Sequence, residues 1–261
     1  MYNLISTFLN NINNLFLTNV IYNDAPEPLQ IGFQDGASPG YTGIVALHDS
    51  IFFYLVLISV GVFWMLVSVM INFSAKNSPT THKYANHGTL IELVWTISPA
   101  LILIAIAFPS FKLLYMLDEV ISPALTIKVS GNQWFWTYEY SDFIKEEGDP
   151  IEFDSYMIPE SDLEIGQFRN LDVDNRVVVP LDTHVRFILT GRDVIHNFAV
   201  PALGLKIDGV PGRLNQTSVI LKRTELFYGQ CSEICGVYHG FMPIAIEGVE
   251  AENFLVWLNQ L

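Results

Sequence analysis

Two long stretches without a charged residue dominate this sequence. Ser50 to Ala75 and Leu93 to Phe111 contain no Asp, Glu, Lys or Arg, and past Lys112 the second continues as LLYML. At 1.5 Å per helical residue the first stretch reaches about 39 Å, more than the ~30 Å of hydrocarbon in a bilayer. Buried core helices would be the alternative. Two such runs in succession, neither with a polar stripe, predict a transmembrane hairpin instead.

The flanks orient it. The link from Lys76 to Ile91 carries Lys76, Lys83, His82 and His87 and no acid, whereas the outer flanks carry Asp24, Glu27, Asp35 and Asp49 on one side and Asp118 and Glu119 on the other. Excess lysine marks the cytoplasmic or matrix side. The hairpin loop is therefore expected inside, with both termini and everything after Asp118 outside. The opening stretch, residues 1–22, lacks the basic start of a secretory signal and the arginines of a transit peptide. Asparagines interrupt its apolar residues, so it reads as a surface-lying or removable leader, followed by a proline-set extended segment, NDAPEPLQ.

From about Val120 the pattern becomes that of a β protein. LTIKVSGNQWFWTYEY and RVVVPLDTHVRFILTG alternate, SVILKRTELFYGQ follows, and glycine, proline or asparagine bounds each run. Short strands without intervening helices indicate a sandwich or barrel. Only EAENFLVWLNQL at the end reads as a helix. Asp118 to Leu261 holds ten Asp and twelve Glu against ten Lys and Arg, a net −12 of the chain's −14. Such a surface is solubilising, and it also suits a basic docking partner. Its sign excludes nucleic acid.

The chemistry concentrates in CSEICGVYHGFM, Cys231 to Met242, which holds both cysteines of the chain. A disulfide is sterically open at this spacing. A thioredoxin-like redox pair would want C-x-x-C inside a βαβ unit. Zinc suits Cys and His but not Met. Thiolate, imidazole and thioether together select copper, and two cysteines allow a second metal ion to share them. A further imidazole is needed. His196 stands at the edge of a glycine-bounded loop, as in cupredoxin-type sites. His184 is the competitor within an alternating strand, and His48, His82 and His87 belong to the membrane half.

C-S-E-I-C-G-x-x-H-x-x-M resembles the dinuclear copper A loop of cytochrome c oxidase subunit II. SFKLLYMLDE, GNQWFWTYEYSDF, FDSYMIPE, DVIHNFAVPALGLKIDGVPGRLNQ and FYGQCSEICG are similar to that family in order and spacing, over roughly residues 40 to 261. The resemblance implies an α+β membrane protein, a two-helix transmembrane hairpin followed by a cupredoxin-like β-sandwich or barrel. The expected divisions are residues 1–40 (leader and extended segment), 41–118 (hairpin) and 119–261 (copper A domain).

It also implies roles. Cys231 and Cys235 would bridge two coppers. His196 with Met242 would complete one, and His239 with the backbone carbonyl of Glu233 the other. The Glu233 carboxylate would face a magnesium ion at the interface with subunit I. Trp134 would receive the electron from cytochrome c, with Asp174 and Asp193 as docking acids. Arg192 stands where an acid is often found, which implies a weaker corner of the dock. Glu92 would lie at the mouth of a proton path into subunit I, although an acid at a helix N-terminus is also favoured by the dipole alone. The implied location is the mitochondrial inner membrane, with the copper domain and both termini in the intermembrane space and other oxidase subunits around it. A membrane-anchored copper chaperone would place its His after a cysteine pair that opens a thioredoxin-like domain. A quinol oxidase subunit II would lack the copper ligands, and the soluble nitrous oxide reductase domain would lack the spans.

Overall fold

A computed structural model describes residues 24–74, 84, 86–144 and 148–260. The expected leader and the orienting lysines Lys76 and Lys83 lie outside the described residues. The chain divides into two compact units, one of residues 40–120 and the other of the segments on either side.

The first unit is two helices, α1 (Pro39–Asn72) and α2 (Thr89–Asp118). Both are long and apolar enough to cross a membrane. Their apolar side chains are exposed all round, as lipid-facing helices require. They pack start to end: a Cβ on Gly43 would lie 2.7 Å from Leu113 Cδ1 and 2.9 Å from Met116 Cε, so a residue without a side chain lets the helices approach. At the head of α2 the backbone N–H of Gly88 donates to the Glu92 carboxylate at 2.9 Å. That bond satisfies one of the donors a helix start leaves unpaired.

The second unit is a β-sandwich. Its strands are β1 (Leu125–Asn132), β2 (Phe135–Ile144), β3 (Pro150–Ser155), β4 (Val177–Pro180), β5 (His184–Gly191), β6 (His196–Val200), β7 (Leu205–Gly209), β8 (Asn215–Ile220), β9 (Leu226–Cys231) and β10 (Pro243–Val249), with α3 (Ala251–Leu258) closing the chain. The two five-stranded sheets run β3-β2-β1-β5-β8 and β4-β10-β9-β6-β7. Alternation in β5 sends Val185, Phe187 and Leu189 into the core. Strands β4 and β6 are buried on both faces. A second small cluster, Val173, Leu226, Tyr228 and Ala245, packed by Phe168, Leu171 and Ala25, lies outside the main core. The extended segment before α1 is stitched into this unit: Asp24 N–H donates to Leu226 O, Ala37 N–H to Ala202 O, and Lys222 N–H to Ala37 O.

The aromatic run that reads as one alternating strand is a hairpin. β1 ends at Asn132 and β2 begins at Phe135, with Gln133 and Trp134 at the turn. Trp136, Tyr138 and Tyr140 are core residues, whereas Trp134 lies before the strand and is half-buried. Alternation continues through the turn in the sequence because the turn also carries an aromatic residue. The backbone nevertheless reverses there.

Candidate metal centre

Neighbouring strands of one sheet bring the soft donors together. β9 pairs with β6 through Phe198 and Cys231. It pairs with β10 through Gln230 and Pro243. Residues 232–242 therefore form the loop between adjacent strands, next to the start of β6, where His196 stands. His184 opens β5 instead, with Nδ1 3.0 Å from Ile121 O.

The sulfurs of Cys231 and Cys235 are 3.9 Å apart. A disulfide requires about 2.05 Å, and both cysteines are free. His196 Nδ1 lies 4.0 Å from Cys231 Sγ, and Glu233 O lies 3.4 Å from the same sulfur. His239 Nδ1 and Met242 Sδ each lie 3.6 Å from Cys235 Sγ. Each sulfur thus has two further donors beside it. Tetrahedral ligands at bond lengths of about 2.0–2.3 Å stand roughly 3.3–3.8 Å from one another, close to these separations. His196, Cys231, Cys235 and Met242 are buried. Among the described residues His196, Cys231 and Cys235 form a group able to hold a metal. Thiolate, imidazole and thioether are the donors copper favours, so the residues fit that metal.

Electrostatics inside the pair are unequal. Burial pushes the Cys231 thiol up, but hydrogen bonds from His196 and from backbone at Asn197 and Glu233 outweigh it and bring the thiol down to about 7. Burial, followed by the charge of Cys231, pushes Cys235 up to about 12. One thiolate is accessible near neutrality, whereas the second awaits a cation.

The surroundings fix the loop. Trp136, fully buried, donates from Nε1 to Met242 O at 3.1 Å and stands edge-on to the His196 ring, 5.9 Å between centroids. Gly236 adopts φ +133°, and a Cβ there would meet the Trp134 ring at 2.9 Å. Trp134 also packs edge-on against Tyr238 at 4.9 Å. The electron-receiving candidate is thus in contact with the residue next to Cys235.

The sequence matches the family described as "Cytochrome C oxidase subunit II, periplasmic domain" over residues 125–249 and "Cytochrome C oxidase subunit II, transmembrane domain" over residues 26–113. A protein named cytochrome c oxidase subunit 2 from Mycosarcoma maydis is 71% identical over 239 residues, 92% of this chain and 94% of that protein. The chain belongs to the cytochrome c oxidase subunit II family. The subunit 2 of Pneumocystis carinii is 60% identical over 243 residues, 93% of this chain and 99% of the relative. Among solved structures, the periplasmic domain of subunit II of cytochrome oxidase from Bradyrhizobium japonicum is 48% identical, covering 54% of this chain and 96% of that one, with a TM-score of 0.48.

The remaining candidates of this subunit II chain fall elsewhere. Glu233 is half-buried in the loop, and Asp174 is exposed. Asp174 accepts from the backbone N–H of Tyr156 and of Asn175, each at 2.7 Å. Arg192 is engaged with Glu152 at 2.9 Å. Glu92 lies in the helical unit, at the head of α2. Sequence reasoning missed three supporting residues: Gln133, Trp136 in its contact with Met242, and Gly131. A Cβ on Gly131 would lie 2.7 Å from the His196 ring.

Proposed function

We propose that this chain is the electron-accepting subunit of the oxidase, taking electrons from cytochrome c at a dinuclear copper A centre and passing them to subunit I. The observation that carries this reading is the ring of donors around two unbonded thiols, each sulfur flanked by two further donors. Cys231 and Cys235 would be shared by two coppers, His196 and Met242 would hold one of them, and Glu233 O and His239 the other, so that each metal would draw one donor from beside each cysteine. When bound, the coppers supply a one-electron carrier whose charge is shared between two metals.

The chain's own residues hold that carrier still and dry. Burial of His196, Cys231, Cys235 and Met242 keeps water from competing as a ligand. Trp136 fixes the Met242 backbone, and Gln133 fixes that of Cys235 through a 2.7 Å bond to its carbonyl. Fixed ligands move little when charge arrives. Trp134, packed on Gly236, is the residue through which the electron arrives. Asp174 and Asp193, on an acidic domain, face the basic cytochrome. The Glu233 carboxylate would hold a magnesium ion at the boundary with subunit I, since a hard cation suits oxygen. Glu92 opens a proton path on the inner side. The setting is the mitochondrial inner membrane, with the β domain in the intermembrane space.

The test is the electron paramagnetic resonance spectrum of the assembled oxidase. A seven-line hyperfine pattern is expected, lost on Cys231→Ser or Cys235→Ser. Its survival in either variant would refute bridging. Met242→Leu should be milder, because the thioether bond is weak.

A further inference from the structure

Asp193 precedes His196 by three residues, and the resemblance makes it a docking acid. Its contacts also point inward. One carboxylate oxygen accepts from the Val194 N–H at 2.6 Å and meets His196 Nε2 at 2.8 Å. The other accepts from the Gln133 N–H at 2.6 Å. Gln133 in turn donates from its side-chain Nε2 to Cys235 O at 2.7 Å. One chain of hydrogen bonds therefore runs from the imidazole beside Cys231 to the backbone of Cys235. It passes through the turn whose next residue is Trp134.

One consequence follows from elementary chemistry. An imidazole whose Nε2–H donates to a carboxylate presents a bare Nδ1, which is the nitrogen that faces Cys231 Sγ. The same bond fixes the ring's rotation and raises its basicity.

We propose that Asp193 is a positioning residue for the copper centre: with Gln133 it sets the tautomer and orientation of His196 and ties both sides of the donor ring to the turn carrying Trp134. This rests on the copper reading given above.

The test uses the assembled oxidase with Asp193→Glu and with Gln133→Ala. Asp193→Glu keeps the charge but moves the carboxylate by one methylene. A docking role alone forecasts unchanged hyperfine structure and copper retention. A positioning role forecasts altered hyperfine splitting and copper lost to a chelator about 10-fold faster or more. Gln133→Ala removes no charge from an exposed turn and should shift the hyperfine pattern in the same direction by less. If Asp193→Glu does not assemble, Asp193→Asn is read in its place, because its amide cannot accept from His196 and from Gln133 at once. Unsubstituted spectra and copper release in the Asp193 and Gln133 variants overturn the proposal. Absence of the seven-line pattern from the unsubstituted oxidase would overturn the copper reading itself.

Discussion

Gly131→Ala places one methyl group against a residue that has nowhere to go. The added Cβ would stand 2.7 Å from both Cγ and Cδ2 of His196 and 2.9 Å from its Cβ. Carbon atoms rest about 3.5–4.0 Å apart, so either the ring or strand β1 must yield by about 0.8 Å or more. The ring is fully buried, edged by Trp136 and bonded to Asp193. β1 is paired on both sides, with β2 and β5, and Gly131 itself is in register with Trp136 and Gly191. Overpacking of this kind costs about 1–3 kcal/mol. Metal-ligand distances tolerate only about ±0.2 Å. The expected outcome is an assembled oxidase that melts lower and has lost copper A or carries it with a distorted hyperfine pattern, read by metal analysis and paramagnetic resonance. Gly240→Ala is the control in the donor loop itself, because a Cβ there meets nothing within 4 Å. Full copper content and an unaltered spectrum in Gly131→Ala would refute the claim that this glycine makes room for the ligand.

Trp136→Phe keeps an aromatic ring, smaller than the indole, but strips the donor from Met242 O, leaving a buried carbonyl unpaired at about 1–3 kcal/mol; the unfolding temperature should fall, and the near-infrared band of the centre should shift. Trp134→Ala should stop oxidation of cytochrome c while the copper spectrum persists, and normal turnover would remove Trp134 from the route. Turnover of the unsubstituted enzyme should slow steeply with salt once the screening length falls to about 8–10 Å; a flat profile would count against electrostatic docking. Glu92→Gln retains an oxygen able to accept the Gly88 N–H, so α2 should stay intact; stopped-flow reduction should then show copper A filling normally while the haems fill slowly, and unchanged haem reduction would leave Glu92 with its helix-start role.

The helices and the donor loop were legible because both are local. An uncharged run needs no partner to declare itself, and Cys231 to Met242 lie within one connection. The second imidazole was narrower work. His184 and His196 both follow β-type sequence, and the turn before His196 was the only local sign that favoured it. The bracing was not legible at all. Gln133 reaches Cys235 across 102 residues and Asp193 reaches Gln133 across 60, and no periodicity encodes such pairs. The turn at Gln133 and Trp134 was hidden by aromatics that keep alternating while the backbone reverses.

The stitching of residues 24–39 onto strands near the end of the chain bears on how the protein is built. The segments before and after the helical unit belong to one folded body, so the chain must leave that body and return to it, and an odd number of bilayer crossings is incompatible with the sheet. The excursion closes a loop of 81 residues, 40–120, at an entropic cost of about 4 kcal/mol for a flexible chain. A preformed pair of helices, held close at Gly43, removes much of that cost before the sheet forms. The β domain therefore cannot complete these contacts until residues 24–39 and the sheet stand on the same side of the membrane, which ties its folding to insertion of the helical pair between them.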